Sequence, residues 1–134
     1  MIMETYIGTK VVMAEEMDEH SAICKGYARE NTDGHELREG YHVKYNNPDG
    51  STYDSWSPKE VFDSAYRKCS TYLDRLRIEK SDLYEKSHKL RDFIISDHFD
   101  ELDRARQSLL SAQNGIMNAY IIIIEQRIAL EEKR

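Results

Sequence analysis

Cysteine is nearly missing from this 134-residue sequence. Cys24 and Cys69 are the only two, too few for a disulfide scaffold or a zinc site. Long apolar runs are missing as well. The longest aliphatic stretch is Ile121–Ile124, far short of a membrane span, and no charged-then-apolar leader opens the chain. Both absences predict a cytoplasmic protein that does not engage membranes. Positive charge is in deficit: 19 Lys and Arg stand against 25 Asp and Glu, a net charge of −6. That balance argues against a general binder of DNA or RNA, which needs a basic footprint.

Catalytic signatures are missing too. No phosphate loop of the form G-x-x-x-x-G-K-[ST] occurs. His35-Glu36 opens like a zinc-protease helix, but position 39 is Glu where that motif needs His. His20, His35, His42, His88 and His98 lack metal-ligand spacing and read as surface histidines. Neither cysteine has a base beside it in a nucleophile motif. The residues therefore point to a binding protein, not an enzyme, with no metal and no cofactor.

What is there divides into two halves, a β module over residues 1–66 and a helical hairpin over 67–134. Hydrophobic residues make up 40% of the chain, with nine Tyr and three Phe, enough to build a core. Tyr6–Ala14 is β-branched and aromatic and predicts a first strand. Residues 15–40, broken by Gly26, Gly34 and Gly40, predict a long loop. Tyr41–Tyr45 alternates, Asn46–Gly50 is a turn signal, and Ser51–Trp56 returns as the second strand of a hairpin. In Ser57-Pro58-Lys59-Glu60, Ser57 is placed to cap a helix and Glu60 to complete a capping box. Val61, Phe62, Ala65 and Tyr66 follow as its apolar face, and a break is expected at Cys69-Ser70-Thr71.

From Leu73 a heptad rhythm runs through Leu76, Lys80, Leu83, Ser87, Leu90 and Ile94, as in an antiparallel helix pair. Asp97–Asp100 is the candidate turn, and the last helix is expected from about Asp100 to the end of the sequence, roughly 50 Å. Along it Ala105, Leu109, Ala112, Ile116, Ala119 and Ile123 form a stripe read as the packing seam. Beside the stripe lie Arg106, Gln113, Tyr120 and Arg127, seven apart. That row is either a boundary whose stems cover the core or the wall of a ligand site. Ile121–Ile124 is apolar on every side of the helix, which predicts burial by other subunits and hence a homo-oligomer. The fold class expected is α+β: a small N-terminal antiparallel sheet, then a long helical hairpin that oligomerises.

Three segments carry a resemblance. Tyr6–Glu15 (YIGTKVVMAE), Glu39–Tyr45 (EGYHVKY) and Ser55–Phe62 (SWSPKEVF) look like a module frequent in phage and prophage proteins. Leu76–Arg127 resembles a helical hairpin shared by the phage anti-Thoeris and anti-CBASS sponges, with Leu109-Leu110, Gln113, Ile116-Met117 and Tyr120 matching its second helix. A β module ahead of the hairpin is the arrangement of the anti-Thoeris sponges.

The resemblance implies a phage counter-defence protein in the bacterial cytoplasm. Such a protein binds and sequesters cyclic nucleotide immune messengers without cleaving them. The ligands implied are glycocyclic ADP-ribose isomers and, in some relatives, cyclic di- or trinucleotides. The assemblies implied are dimers, or hexamers built from dimers, with sites between subunits. Leu109 stands where some relatives that take cyclic trinucleotides have an arginine.

Such a ligand needs cations for its pyrophosphate, a flat partner for adenine, and amides for its ribose hydroxyls. Arg106 and Arg127 fit the first need, Phe99 or Tyr120 the second, and Gln113 or Asn114 the third. Lys25 and Arg29 would close over the ligand from the polar loop. For Phe99 a core plug at the turn is the alternative, and for Lys25 and Arg29 ordinary solvated charge. A helical adaptor that inhibits a host protein is the alternative to a sponge.

Overall fold

A computed structural model describes all residues, 1–134. Its elements are β1 (Met13–Glu16), α1 (Glu19–Lys25), β2 (Gly40–Asn46), β3 (Thr52–Pro58), α2 (Lys59–Ala65), α3 (Tyr72–Ile94), α4 (Asp97–Asp100) and α5 (Arg104–Glu132). The fold is the expected α+β arrangement, an antiparallel sheet ordered β1-β2-β3 followed by a helical hairpin. Two compact units result, Met1–Tyr66 and Arg67–Arg134.

In the first unit β2 is the central strand. Tyr41, Val43 and Tyr45 share one of its faces, as the alternation predicts. Val43 is fully buried, Tyr41 stacks on Phe62 of α2 at 4.2 Å, and Tyr45 on Tyr53 of β3 at 5.1 Å. On the other face the His42 ring stacks on Tyr27 at 4.1 Å. It also bonds Glu15 of β1 at 3.0 Å and Asp54 of β3 at 2.7 Å, so one imidazole ties three strands together.

Three local expectations need correction. The first strand is Met13–Glu16, not Tyr6–Ala14. Met13 pairs with Lys44, so carrying that register back would set Thr9 opposite Pro48, inside the turn; β2 ends before Tyr6–Thr9 could find a partner. The expected loop 15–40 contains a helix, α1, because Asp18 caps it by accepting from the Ser21 N–H at 2.8 Å. Gly26 ends it at φ 79°, a backbone state that favours glycine. The Ser57–Glu60 capping box does not form. Ser57 and Pro58 are drawn into β3, paired with Tyr41 and Gly40, and α2 starts at Lys59 without a side-chain cap. Of the expected α2 face, Phe62 and Tyr66 are half-buried, while Val61 and Ala65 are exposed.

The second unit opens at the expected break. Thr71 caps α3 by accepting from the Asp74 N–H at 3.0 Å, and the Asp74 carboxylate accepts from the Thr71 N–H at 3.2 Å. All seven expected heptad positions of α3, Leu73 to Ile94, are buried or half-buried. Asp97–Asp100 forms the single turn α4, and α5 begins at Arg104, capped by Asp103, not at Asp100. Its 29 residues span about 44 Å.

The stripe Ala105–Leu109–Ala112–Ile116–Ala119–Ile123 is not the seam of this hairpin; all six residues are exposed. The seam is Leu110, Met117, Ile121, Ile124 and Ile128, with Leu76, Ile124 and Ile128 forming the core cluster. Polar groups are matched across this face. Ser87 of α3 donates to Asn118 Oδ1 at 3.1 Å, and Lys80 meets Glu125 at 3.8 Å. The two polar steps of α3, seven apart, thus meet two polar steps of α5, seven apart in reverse. The tetra-isoleucine run divides accordingly: Ile121 and Ile124 are buried, while Ile122 and Ile123 are each 56% exposed.

Candidate functional site

On α5 the row Gln113–Tyr120–Arg127 lies along one flank of the seam, between the buried residues and the exposed Ala/Leu/Ile stripe. The order follows from 3.6 residues per turn. All three side chains are exposed. The Tyr120 hydroxyl donates to Glu79, and Arg127 donates to the Tyr72 hydroxyl while lying over that ring at 5.8 Å. Arg106 sits in the first turn of α5, where its backbone N–H and guanidinium are both taken by Asp103. The Arg106–Asp103 ion pair is exposed and weak, and Arg127 has no carboxylate partner, so both cations remain available to an anion.

Other expected site residues lie elsewhere. Phe99, in α4, is half-buried and edge-on to Phe93 at 6.5 Å; its carbonyl accepts from Gln107 Nε2 at 2.9 Å. Asn114 is on the opposite flank of the seam, one turn before Asn118, and its shielded Oδ1 has no donor. On that flank a groove of about 330 Å³ is lined by Tyr84, Ser87, His88, Arg91 and Asn118, none of them anticipated from the sequence. The signal was weak, because Ser87 reads as a heptad position and the others as the solvated flank of two helices.

Lys25 and Arg29 belong to the first unit. Lys25 is in the last turn of α1, exposed. Arg29 lines a cleft of about 430 Å³ together with Tyr27, Glu19, His35, Arg38 and Trp56. Beneath it Glu19 is only 3% exposed. Its carboxylate accepts from His35 Nε2 at 2.9 Å and from the Arg38 N–H and Nε at 3.1 and 3.2 Å. Burial works against its charge, but donation from Arg38 and His35 outweighs this and holds the carboxyl below its ordinary range. Asp33 and Glu19 in turn hold His35 above the ordinary histidine value against its desolvation. Arg38 lies over the Trp56 ring at 5.5 Å, and Trp56 Nε1 donates to the Met17 carbonyl at 2.7 Å. The cleft presents the guanidinium groups of Arg29 and Arg38 and the His35 imidazole around the satisfied Glu19 carboxylate, with Glu30 also on its lining. His35, Arg38 and Trp56 were missed as site residues because they come from separate segments that only the fold brings together.

No group of His, Cys, Asp and Glu is disposed to hold a metal ion, and no helix is long and apolar enough to cross a membrane. Residues 70–130, nearly the whole helical unit, match the family model described as Sequestin. The first unit lies outside the match. No curated protein matches the chain, and no solved structure does.

Proposed function

We propose that this chain is a phage counter-defence sponge. It binds a cyclic nucleotide immune messenger, a glycocyclic ADP-ribose isomer or a cyclic di- or trinucleotide, and holds it without cleaving it. The Sequestin match over residues 70–130 supports a sequestering, non-catalytic role. The observation that carries the reading is the position of the Gln113–Tyr120–Arg127 row between the hairpin seam and an exposed apolar stripe. A second copy seated on the stripe through Leu109, Ile116 and Ile123 would wall in that row. A cation, an aromatic ring and an amide would then line a pocket between subunits, suited to phosphate, adenine and ribose. Arg106 and Phe99 extend the same list toward the turn end of the hairpin, and Asn114 offers its unpartnered acceptor; in the module, Lys25 and Arg29 offer cations of their own.

Native mass spectrometry of the purified protein with a panel of glycocyclic ADP-ribose isomers and cyclic di- and trinucleotides tests this. The expected result is an oligomer, a dimer or a hexamer built from dimers, carrying stoichiometric ligand that is recovered intact after heat denaturation. Conversion of the nucleotide would overturn it in favour of an enzyme. Indifference to every nucleotide would favour the second reading, a helical adaptor that docks on a host protein. That reading draws on the stripe itself: Leu109, Ile116 and Leu130 are 71%, 69% and 66% exposed.

A further inference from the structure

Residues 1–12 form an arm without a strand partner in the chain, and it is apolar. Ile2, Met3, Tyr6, Ile7 and Val11 are 85–93% exposed, and none of these twelve residues belongs to an element. The arm leads directly into β1, whose four residues are also exposed. Its β-branched and aromatic residues are strand formers, and an unpaired edge of this kind recruits another strand.

The arm's own sequence specifies that strand. About Ile7 it is complementary to itself read in the opposite direction. Tyr6 answers Gly8, Thr5 answers Thr9, Glu4 answers Lys10, Met3 answers Val11, and Ile2 answers Val12. Antiparallel pairing of two arms with Ile7 on the two-fold axis sets each of these pairs directly opposite. Glu4 then faces Lys10 twice, Thr5 faces Thr9 twice, and each Tyr6 ring covers a glycine, all favourable cross-strand pairs. Met3, Thr5, Ile7, Thr9 and Val11 of both chains fall on one face, and Ile2, Glu4, Tyr6, Gly8, Lys10 and Val12 on the other. A slip of one residue sets Glu4 opposite Val11 and Ile7 opposite Gly8, which loses both the charge match and the apolar face.

We propose that the arm is a dimerisation strand: residues 2–12 pair with the same residues of a second copy of this chain, antiparallel, in the register centred on Ile7. This is an isologous contact, and it stands independently of the ligand reading and of the α5 stripe.

Site-directed disulfide formation reads the register directly. The full chain with Cys24→Ser and Cys69→Ser removes the two exposed free thiols. In that background Ile7→Cys places two thiols across the axis, within disulfide reach. Mild oxidation is expected to give a covalent dimer. Thr5→Cys alone should react at least ~10-fold more slowly, because its copy lies four residues away, about 14 Å along the ribbon. A mixture of Thr5→Cys and Thr9→Cys chains should give the heterodimer. Glu4→Lys should slow the Ile7→Cys reaction, and adding Lys10→Glu to the same chain should restore it. Equal rates for Ile7→Cys and Thr5→Cys would overturn the register. Absence of dimer both from Ile7→Cys and from the Thr5→Cys/Thr9→Cys mixture would overturn the pairing.

Discussion

Two neighbouring isoleucines allow one substitution to separate folding from assembly. Ile124 is 0% exposed and packs in the cluster of Leu76 and Ile128, with Leu73 and Leu83 against it. Ile123, the preceding residue, is 56% exposed. Ile124→Ala removes three buried carbons from a two-helix core with few residues to collapse into the space. Substitutions of this type cost about 2–5 kcal/mol. A hairpin core this thin keeps little in reserve, so a loss of about 3 kcal/mol, at roughly 4–8 °C per kcal/mol for a unit of this size, should lower the helical melting temperature by about 12–24 °C. Ile123→Ala removes the same atoms from a surface position and should stay within about 0.5 kcal/mol in the single chain.

If the stripe is an intersubunit seam, Ile123→Ala acts by mass action, and its melting deficit appears only at concentrations where the wild type assembles. Circular dichroism melts over a concentration series, with sedimentation at the same concentrations, make the comparison. An Ile123→Ala deficit equal to that of Ile124→Ala in dilute solution would refute the assignment of faces on α5. So would an Ile124→Ala variant that melts with the wild type.

The module offers its own tests, read through Trp56, the single tryptophan. A Cβ at Gly40 would lie 2.5 Å from Trp56 Cζ2 and against the Ser57 carbonyl, so Gly40→Ala should destabilise the sheet by about 1–3 kcal/mol and shift Trp56 emission. Glu15 and Asp54 raise the folded pKa of His42 against its desolvation, and Asp33 and Glu19 raise that of His35, both from an ordinary 6.5. Their contribution to stability is therefore full below 6.5 and is lost as pH climbs through the higher folded values. Glu19 is held below its ordinary 4.5, so its contribution is present above that value and fades as pH falls. Module stability should peak between these limits, and His42→Gln should flatten the upper limb in a pH series of denaturant melts. On the hairpin, Ala112→Leu lies on the exposed stripe; the single chain should keep its melting temperature while the oligomer mass falls, and an unchanged mass would refute the stripe as a seam. Arg127→Ala should weaken messenger binding at least ~10-fold, the loss of one charge-assisted bond, without changing that mass, and equal affinity in titration calorimetry would return the row to a boundary role.

The readable parts of the chain were those where one period had one partner. The α3 heptad was legible because every third or fourth side chain meets the same neighbour, even at Lys80 and Ser87. On α5 two apolar stripes compete, and the regular alternation of alanine with larger residues marks the one that this hairpin leaves exposed. The larger Met117, Ile121, Ile124 and Ile128 side chains face inward, and Lys80 and Ser87 then meet Glu125 and Asn118 opposite them. Tyr6–Val12 has strand composition, but composition does not reveal that β2 ends at Asn46. The seven residues of α1 are too few for a period, and only Asp18 and Gly26 marked its ends. The cleft of the module was illegible for a different reason. Arg29, Arg38 and Trp56 meet through the fold, and spacing carries no trace of that.

A hairpin buries one face of each helix, and α5 has two apolar faces. The second is apolar at Leu109, Ile116, Ile123 and Leu130, each separated by seven residues and each more than half exposed. Such a repeat matches the period of another helix and does not match a flat or irregular surface. The small residues of the same stripe, Ala105, Ala112 and Ala119, would allow that helix a close approach. Tyr120 and Arg127 stand at the border of the two faces and are engaged only by Glu79 and Tyr72 of α3. Neither contact is buried, so exchanging them for the phosphates of a nucleotide costs little, and a second helix on the stripe would lower the dielectric around the new contacts and strengthen them. On the proposed function, assembly and ligand capture would be linked through a single helix, and each should tighten the other.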